Sequence, residues 1–192
     1  MPHPSHAEGR EVERQVLNPF SVLGIEPRFD LDLSAVEKQY LQLARALHPD
    51  RYVGCGPSER RAALEKALEV NEAWRTVRDP VRRAEALFRL RGVSSGDGHE
   101  PPTDPLFLME MLEEQERIQE SRNAALFQRA ADSLAQRKVG IEAALACGFA
   151  DSGADLFPLL ATLGSLRYVE RLASELATRK AALENPTENF SP

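Results

Sequence analysis

A helical apolar period runs through residues 34 to 47 and meets, at Leu47-His48-Pro49-Asp50-Arg51, a proline that it cannot pass. Val36, Tyr40, Leu41, Leu43, Ala44 and Leu47 recur at helical rather than alternating spacing. Proline at 49 disfavours helical dihedrals at His48, so the helix must end at about that residue. The imidazole and the Asp50 carboxylate are then exposed beside its last turn. Ser34 followed by Glu37 has the form of a capping box for its start. After Gly54-Cys55-Gly56-Pro57 a second helical run begins, with Ser58 as the expected N-cap, and reaches Arg78. Helices joined by so short a loop pack antiparallel, and Ala63, Leu64, Ala67, Leu68, Val70, Asn71 and Trp74 form the second one's broad apolar face.

The flanks extend this pair into a unit of about four helices. Asn18-Pro19-Phe20-Ser21-Val22-Leu23-Gly24 reads as a short helix capped by Asn18 and stopped by Gly24, with Phe20 and Leu23 in the core. Leu31 and Leu33 point inward from the next connection. Asp79-Pro80 stops the long helix, and Pro80 to Leu90 forms another, presenting Ala84, Leu87, Phe88 and Leu90 before Gly92 ends it. Residues 1–17 have few apolar anchors and read as a flexible N-terminal tail, in which His3 and His6 have no metal-ligand constellation around them. The first domain is therefore 18–92. Ser-Ser-Gly-Asp-Gly and Pro101-Pro102 mark 93–103 as a linker.

Three helical candidates follow, at about Asp104 to Arg117, Ser121 to Cys147 and Gly153 to Leu183. Leu156, Leu159, Leu160, Leu163, Leu166, Val169, Leu172, Leu176 and Leu183 stripe the third, and Leu126, Leu134, Ile141 and Leu145 the second. Long amphipathic helices with short connections imply an antiparallel three-helix bundle of coiled-coil type over 104–185, and 186–192 reads as a tail. On a wheel of about 100° per residue, Phe107, Met111 and Ile118 share one sector and form the seam. Leu108 and Leu112 lie roughly a quarter-turn away, on a face that continues through Glu116, Met109, Glu120 and Glu113. That face is either a docking surface, with apolar anchors inside a charged rim, or the side turned to a third helix with its glutamates solvated.

The fold class is all-α: Ala, Leu, Glu, Arg and Gln dominate and alternating patterns are scarce. Cys55 and Cys147 form no C-x-x-C pair, which argues against a disulfide framework, a structural zinc site or a bound cluster, so neither metal nor cofactor is expected. No apolar run approaches the roughly 20 residues of a membrane span, and a cytoplasmic protein is expected. The charge is uneven, with 13 basic and 11 acidic residues over 18–92 but 9 basic and 13 acidic over 103–185. This favours different protein partners for the two halves over a nucleic acid.

His48-Pro49-Asp50 admits four readings. A catalytic pair lacks a nucleophile aimed at the turn, and a metal site lacks its third and fourth ligands. A plain helix stop needs nothing more. A recognition turn would be a rigid charged protrusion flanked by Lys38, Arg45 and Arg51, Lys38 and Arg45 being seven residues apart on one helix face.

The surrounding order of elements decides among them. A short helix, a helix ending in Leu-His-Pro-Asp-Arg-Tyr, an antiparallel helix containing Val70-Asn71-Glu72-Ala73-Trp74, then Asp79-Pro80 and Arg83-Ala84-Glu85-Ala86-Leu87, closely resembles the J-domain. Within that family the chain is most similar to the HscB co-chaperones of iron-sulfur cluster assembly, through Phe107-Leu108-Met109-Glu110 and Leu166-Arg167-Tyr168-Val169 as well. The resemblance covers about residues 18 to 184. It implies that His48, Pro49 and Asp50, helped by Lys38, Arg45 and Arg51, dock on an HscA/DnaK-class ATPase chaperone and stimulate its ATP hydrolysis. It also implies that Leu108, Met109, Leu112, Glu113, Glu116, Glu120 and Tyr168 bind an IscU-type scaffold, the protein itself not being an enzyme. Tyr168 stands where relatives often have Phe, so its hydroxyl needs water or a partner. No cysteine-rich module precedes residue 18, which fits a bacterial-type member. The alternatives are a general J-domain co-chaperone for unfolded clients, although Gly/Phe-rich and Cys-rich zinc regions are missing, and a small hydrolase using His48 and Asp50.

Overall fold

The computed structural model describes residues 18–93, 103–120, 124–151 and 153–184, apart from the side chains of 120, 124, 183 and 184. The sequence-predicted tails, the body of the linker at 94–102 and the helix start at Ser121 lie outside the described residues. The described residues form seven α-helices and one 3-10 turn, with no strand: α1 (Pro19–Leu23), α2 (Leu33–Ala46), the turn Pro49–Tyr52, α3 (Pro57–Arg78), α4 (Pro80–Leu90), α5 (Pro105–Glu120), α6 (Ala124–Ala150) and α7 (Phe157–Glu184).

Local chemistry sets the boundaries. Asn18 Oδ1 accepts from the backbone N–H of Phe20 at 3.0 Å, and Gly24, at φ 69°, ends α1 in the left-handed region. The expected caps of the next two helices both move upstream. Asp32, not Ser34, caps α2, its Oδ1 accepting from Ala35 N at 3.1 Å. The earlier start adds the bond from Val36 N to Asp32 O and sets a carboxylate at the positive end of the helix dipole. α3 likewise starts at Pro57 rather than after Ser58, because proline has no N–H to leave unpaired at a first helical position. Glu59 Oε2 reaches back to Gly56 N at 3.3 Å.

α2 and α3 form the antiparallel hairpin, clamped where Tyr40 stacks on Trp74 with ring centroids 5.3 Å apart and donates its hydroxyl hydrogen bond to Asn71 Oδ1 at 3.0 Å. Six residues expected to be apolar contacts are not covered: Leu33 and Leu41 on α2, Leu64 and Leu68 on α3, Leu90 on α4 and Leu126 on α6 are exposed, Leu33 because it opens α2 at the helix end rather than pointing inward from a connection. The apolar face of α3 is wider than the strip that α1 and α2 can cover. Leu90 lies in the last turn of α4, beyond its packed face.

In the second half α6 runs antiparallel to α5 and α7, as the ion pairs Arg137–Glu110 (2.9 Å) and Lys138–Glu170 (2.8 Å) register. Met111, Ile118, Phe127, Leu134, Val169, Leu172 and Leu176 fill its interior. A second core is common to both halves. Phe20, Phe29, Val70, Leu87 and Phe88 from the first half share one buried cluster with Leu145, Phe149, Leu156, Leu160, Leu163 and Leu166 from the second. Phe149 is the joint, its ring 4.9 Å from Phe88 edge-on and 6.0 Å from Phe29. Arg91 fastens the same seam by donating to the carbonyls of Phe149 (2.7 Å) and Asp151 (2.9 Å).

Candidate functional site

Two exposed surfaces of different chemistry stand out on this shared core, one at the tip of the hairpin and one on α5 and α7. At the tip, Leu47 closes α2 by donating to Leu43 O at 3.0 Å, and His48 turns extended (φ −61°, ψ 133°), as a residue before proline must. Pro49 opens the 3-10 turn, which Arg51 N closes on His48 O at 3.0 Å. Tyr52 then donates its hydroxyl to Ala46 O at 3.4 Å, tying the turn back to α2.

The turn is therefore fixed in backbone while its side chains face solvent. The His48 and Asp50 side chains are 60% and 86% exposed. His48 Nδ1 accepts from Asp50 N at 3.3 Å and lies 3.5 Å from Asp50 Oδ2. These are alternatives: accepting from the N–H requires an unprotonated Nδ1, whereas a cationic ring would turn its proton to the carboxylate. Arg45 and Arg51 are exposed beside the tip, and Lys38 is exposed about two turns further back along α2. The result is a rigid, charged and exposed protrusion.

On the second surface, Asp104 Oδ1 caps the start of α5 by accepting from Leu106 N at 3.0 Å. Met111 and Ile118 are buried at 1% and 4% exposure, whereas Met109 and Leu112 stand 61% and 46% exposed on the other face. Leu108 is half-buried between them, and Glu113 and Glu116 are exposed. Arg117 spans Glu113 (3.5 Å) and Glu114 (2.9 Å), trimming the negative charge at one edge. The backbone of Glu120 ends α5, but its side chain is outside the described residues.

Tyr168 joins this face from α7. Its hydroxyl hydrogen-bonds Gln115 Oε1 at 3.2 Å, and the Arg171 guanidinium lies over its ring at 4.8 Å. Gln115 is thus the partner the hydroxyl required. Neither Gln115 nor Arg171 belongs to the sequence-derived site: nothing in the sequence links Gln115 to a residue 53 positions away, whereas Arg171 follows Tyr168 by three residues on α7, a helical spacing that could have found it.

Among the described residues no cluster of three His, Cys, Asp or Glu side chains could hold a metal ion, and no helix is long and apolar enough to cross a membrane. A DnaJ domain model matches residues 18–86, and a model described as the HSCB C-terminal oligomerisation domain matches 103–177. The co-chaperone protein HscB homolog of Bordetella petrii is 34% identical over 164 residues, covering 85% of this chain and 96% of that protein.

The chain belongs to the HscB co-chaperone family.

The HscB homolog of Paraburkholderia xenovorans is also 34% identical, over 86% of this chain and 95% of its own length. Chaperone HscB from Vibrio cholerae superposes with a TM-score of 0.74 at 26% identity, covering 87% of this chain and 99% of that one. Human co-chaperone protein HscB gives a TM-score of 0.77 at 21% identity, over 93% and 84% of the two chains, and shares the fold. An HscB co-chaperone regulates rather than catalyses, and the open geometry of both surfaces suits protein contact.

Proposed function

We propose that this HscB protein binds an IscU-type iron-sulfur scaffold, delivers it to an HscA/DnaK-class chaperone and stimulates that chaperone's ATP hydrolysis in the bacterial cytoplasm. In this reading 18–92 is the J-domain, 93–103 the linker and 104–185 the scaffold-binding bundle. His48, Pro49 and Asp50 engage the chaperone, with Lys38, Arg45 and Arg51 steering an acidic partner surface onto them. Leu108, Met109, Leu112, Glu113, Glu116, Glu120 and Tyr168 receive the scaffold.

One observation carries the reading. A rigid charged turn and an apolar-acidic patch belong to different halves, and those halves are joined by a buried cluster to which α6 and α7 of the second contribute, so two partners can be held together without competing for one site. The scaffold patch has exposed anchors, Met109 and Leu112, inside a glutamate rim, the chemistry that docks a surface with apolar pockets and basic edges.

The test is ATP turnover by an HscA-type chaperone with the His48→Gln variant. Stimulation should vanish while scaffold binding, measured by titration calorimetry, stays at the wild-type value. Stimulation equal to wild type would remove the turn from the mechanism. A chain that captures diverse unfolded clients but no scaffold would instead be a general J-domain co-chaperone.

A further inference from the structure

Three of the exposed leucines of the first half are not scattered. Leu41 is 43%, Leu64 54% and Leu68 61% exposed. The covered stripe of α2 is Val36, Tyr40, Leu43 and Leu47, and that of α3 is Ala63, Ala67, Val70 and Trp74. On helical wheels Leu41 is turned from its stripe by about 130°, and Leu64 and Leu68 by about 90° and 130°, all in the same rotational sense. A two-fold axis normal to the plane of an antiparallel pair keeps rotational sense and keeps the side, so all three fall on one side of the hairpin.

The opposite side is the covered one. There Gln39 Nε2 donates to the Leu23 carbonyl at 2.7 Å, and Pro19 and Val22 of α1 line one cleft with Ala73 and Thr76 of α3. α1 therefore cannot shield the leucines, and α6 and α7 join the first half through the cluster around Phe29, Phe88 and Phe149 instead.

Charge indicates what covers them. Lys38 and Arg45 stand three residues before and four after Leu41, the spacings at which helical side chains are neighbours. The basic face and the leucines are thus one continuous surface, and Leu64 brings it towards the turn, since α3 begins at Pro57. An apolar centre edged by lysine and arginine fits an apolar patch edged by carboxylates.

We propose that Leu41, Leu64 and Leu68 form the apolar centre of the chaperone-binding surface, seated on an apolar patch of the DnaK-class ATPase chaperone that the basic residues face. This rests on the chaperone-binding reading above and adds residues to it. The leucines hold the complex once formed, and Lys38, Arg45 and Arg51 govern the rate of encounter.

The experiment compares full-length Leu41→Ser/Leu68→Ser, His48→Gln and wild type for binding to the HscA-type chaperone of the same organism in the presence of ATP. Because both leucines are exposed, the double serine variant should unfold at the wild-type temperature. Its affinity should fall about tenfold, mostly through faster dissociation, with the salt dependence of binding unchanged. Affinity within twofold of wild type overturns the inference. If His48→Gln still abolishes stimulation in that case, the chaperone reading survives and only the leucine contact is lost. If wild type itself neither binds nor stimulates the chaperone, both fall. A variant that loses self-association in the ultracentrifuge but keeps chaperone affinity would make the patch an interface between copies and also overturn the proposal.

Discussion

Glu85 on α4 and Arg167 on α7 meet at 2.5 Å across the seam between the two halves, with their side chains only 27% and 28% exposed. The pair joins residues 82 apart in sequence and flanks the cluster centred on Phe149. A partly screened pair of this kind contributes on the order of 1 kcal/mol. A double-mutant cycle of Glu85→Ala and Arg167→Ala in urea should therefore give a coupling energy of about 1 kcal/mol. Zero coupling would show that the seam is held by apolar burial alone.

Phe149 tests the seam more severely. Its ring is 5% exposed and touches Phe88 and Phe29 of the first half, so truncation opens a cavity where the halves meet. Phe149→Ala should cost about 3–5 kcal/mol. The wild type should unfold in one transition, while the variant should separate into two, resolved by Trp74 fluorescence against far-ultraviolet dichroism. A single coincident transition in the variant would mean that the halves are coupled by more than this cluster.

The α2 and α3 periods and the α7 stripe were legible because each follows from spacing within one helix. What was not legible depends on who covers whom. Leu41 and Leu64 lie off the stripes by which α2 and α3 cover each other, and with α1 on the other side of the hairpin they are left bare. Asp32 and Ser34 are both competent caps, and the choice between them turns on one added backbone bond. The core common to both halves was hidden because Phe88 and Phe149 come from segments that composition separates with a linker. At the candidate site the exposed turn could be read from Pro49 and the exposed face of α5 from its wheel. The Gln115 partner of Tyr168 could not, since it needs the parallel register of α5 and α7.

Arg83 is a buried cation with an incomplete set of partners. It is 6% exposed, donates from Nη1 to Val77 O at 2.8 Å and lies over the Phe29 ring at 4.6 Å, while its Nε has no hydrogen-bond partner among the described residues. Burial lowers its pKa from the usual arginine value, and Glu142, Asp79, Asp30 and Glu170 oppose that shift from a distance. Its apolar stem packs regardless of the charge. Arg83→Ala should therefore lose about 2–4 kcal/mol, and Arg83→Met should recover more than half of that loss in denaturant melts. Equal losses in the two variants would assign the stability to the guanidinium and its bond to Val77.

Met111 and Leu112 are adjacent on α5 and differ in burial, which allows the proposed scaffold surface to be separated from the bundle core. Met111 is 1% exposed inside the bundle, so Met111→Ala should cost about 2–5 kcal/mol of stability. Leu112, 46% exposed, should leave stability within about 0.5 kcal/mol when changed to alanine. If Leu112 anchors an IscU-type scaffold, the same change should weaken binding by about 1–3 kcal/mol, read by titration calorimetry on folded protein. Tyr168→Phe sharpens the comparison, because it keeps the ring under Arg171 and removes only the hydroxyl bonded to Gln115. It should lower stability by about 0.5–1.5 kcal/mol and leave scaffold affinity nearly unchanged. A large affinity loss in Tyr168→Phe with no change in melting would instead make the hydroxyl itself a contact, freed from Gln115 when the scaffold binds.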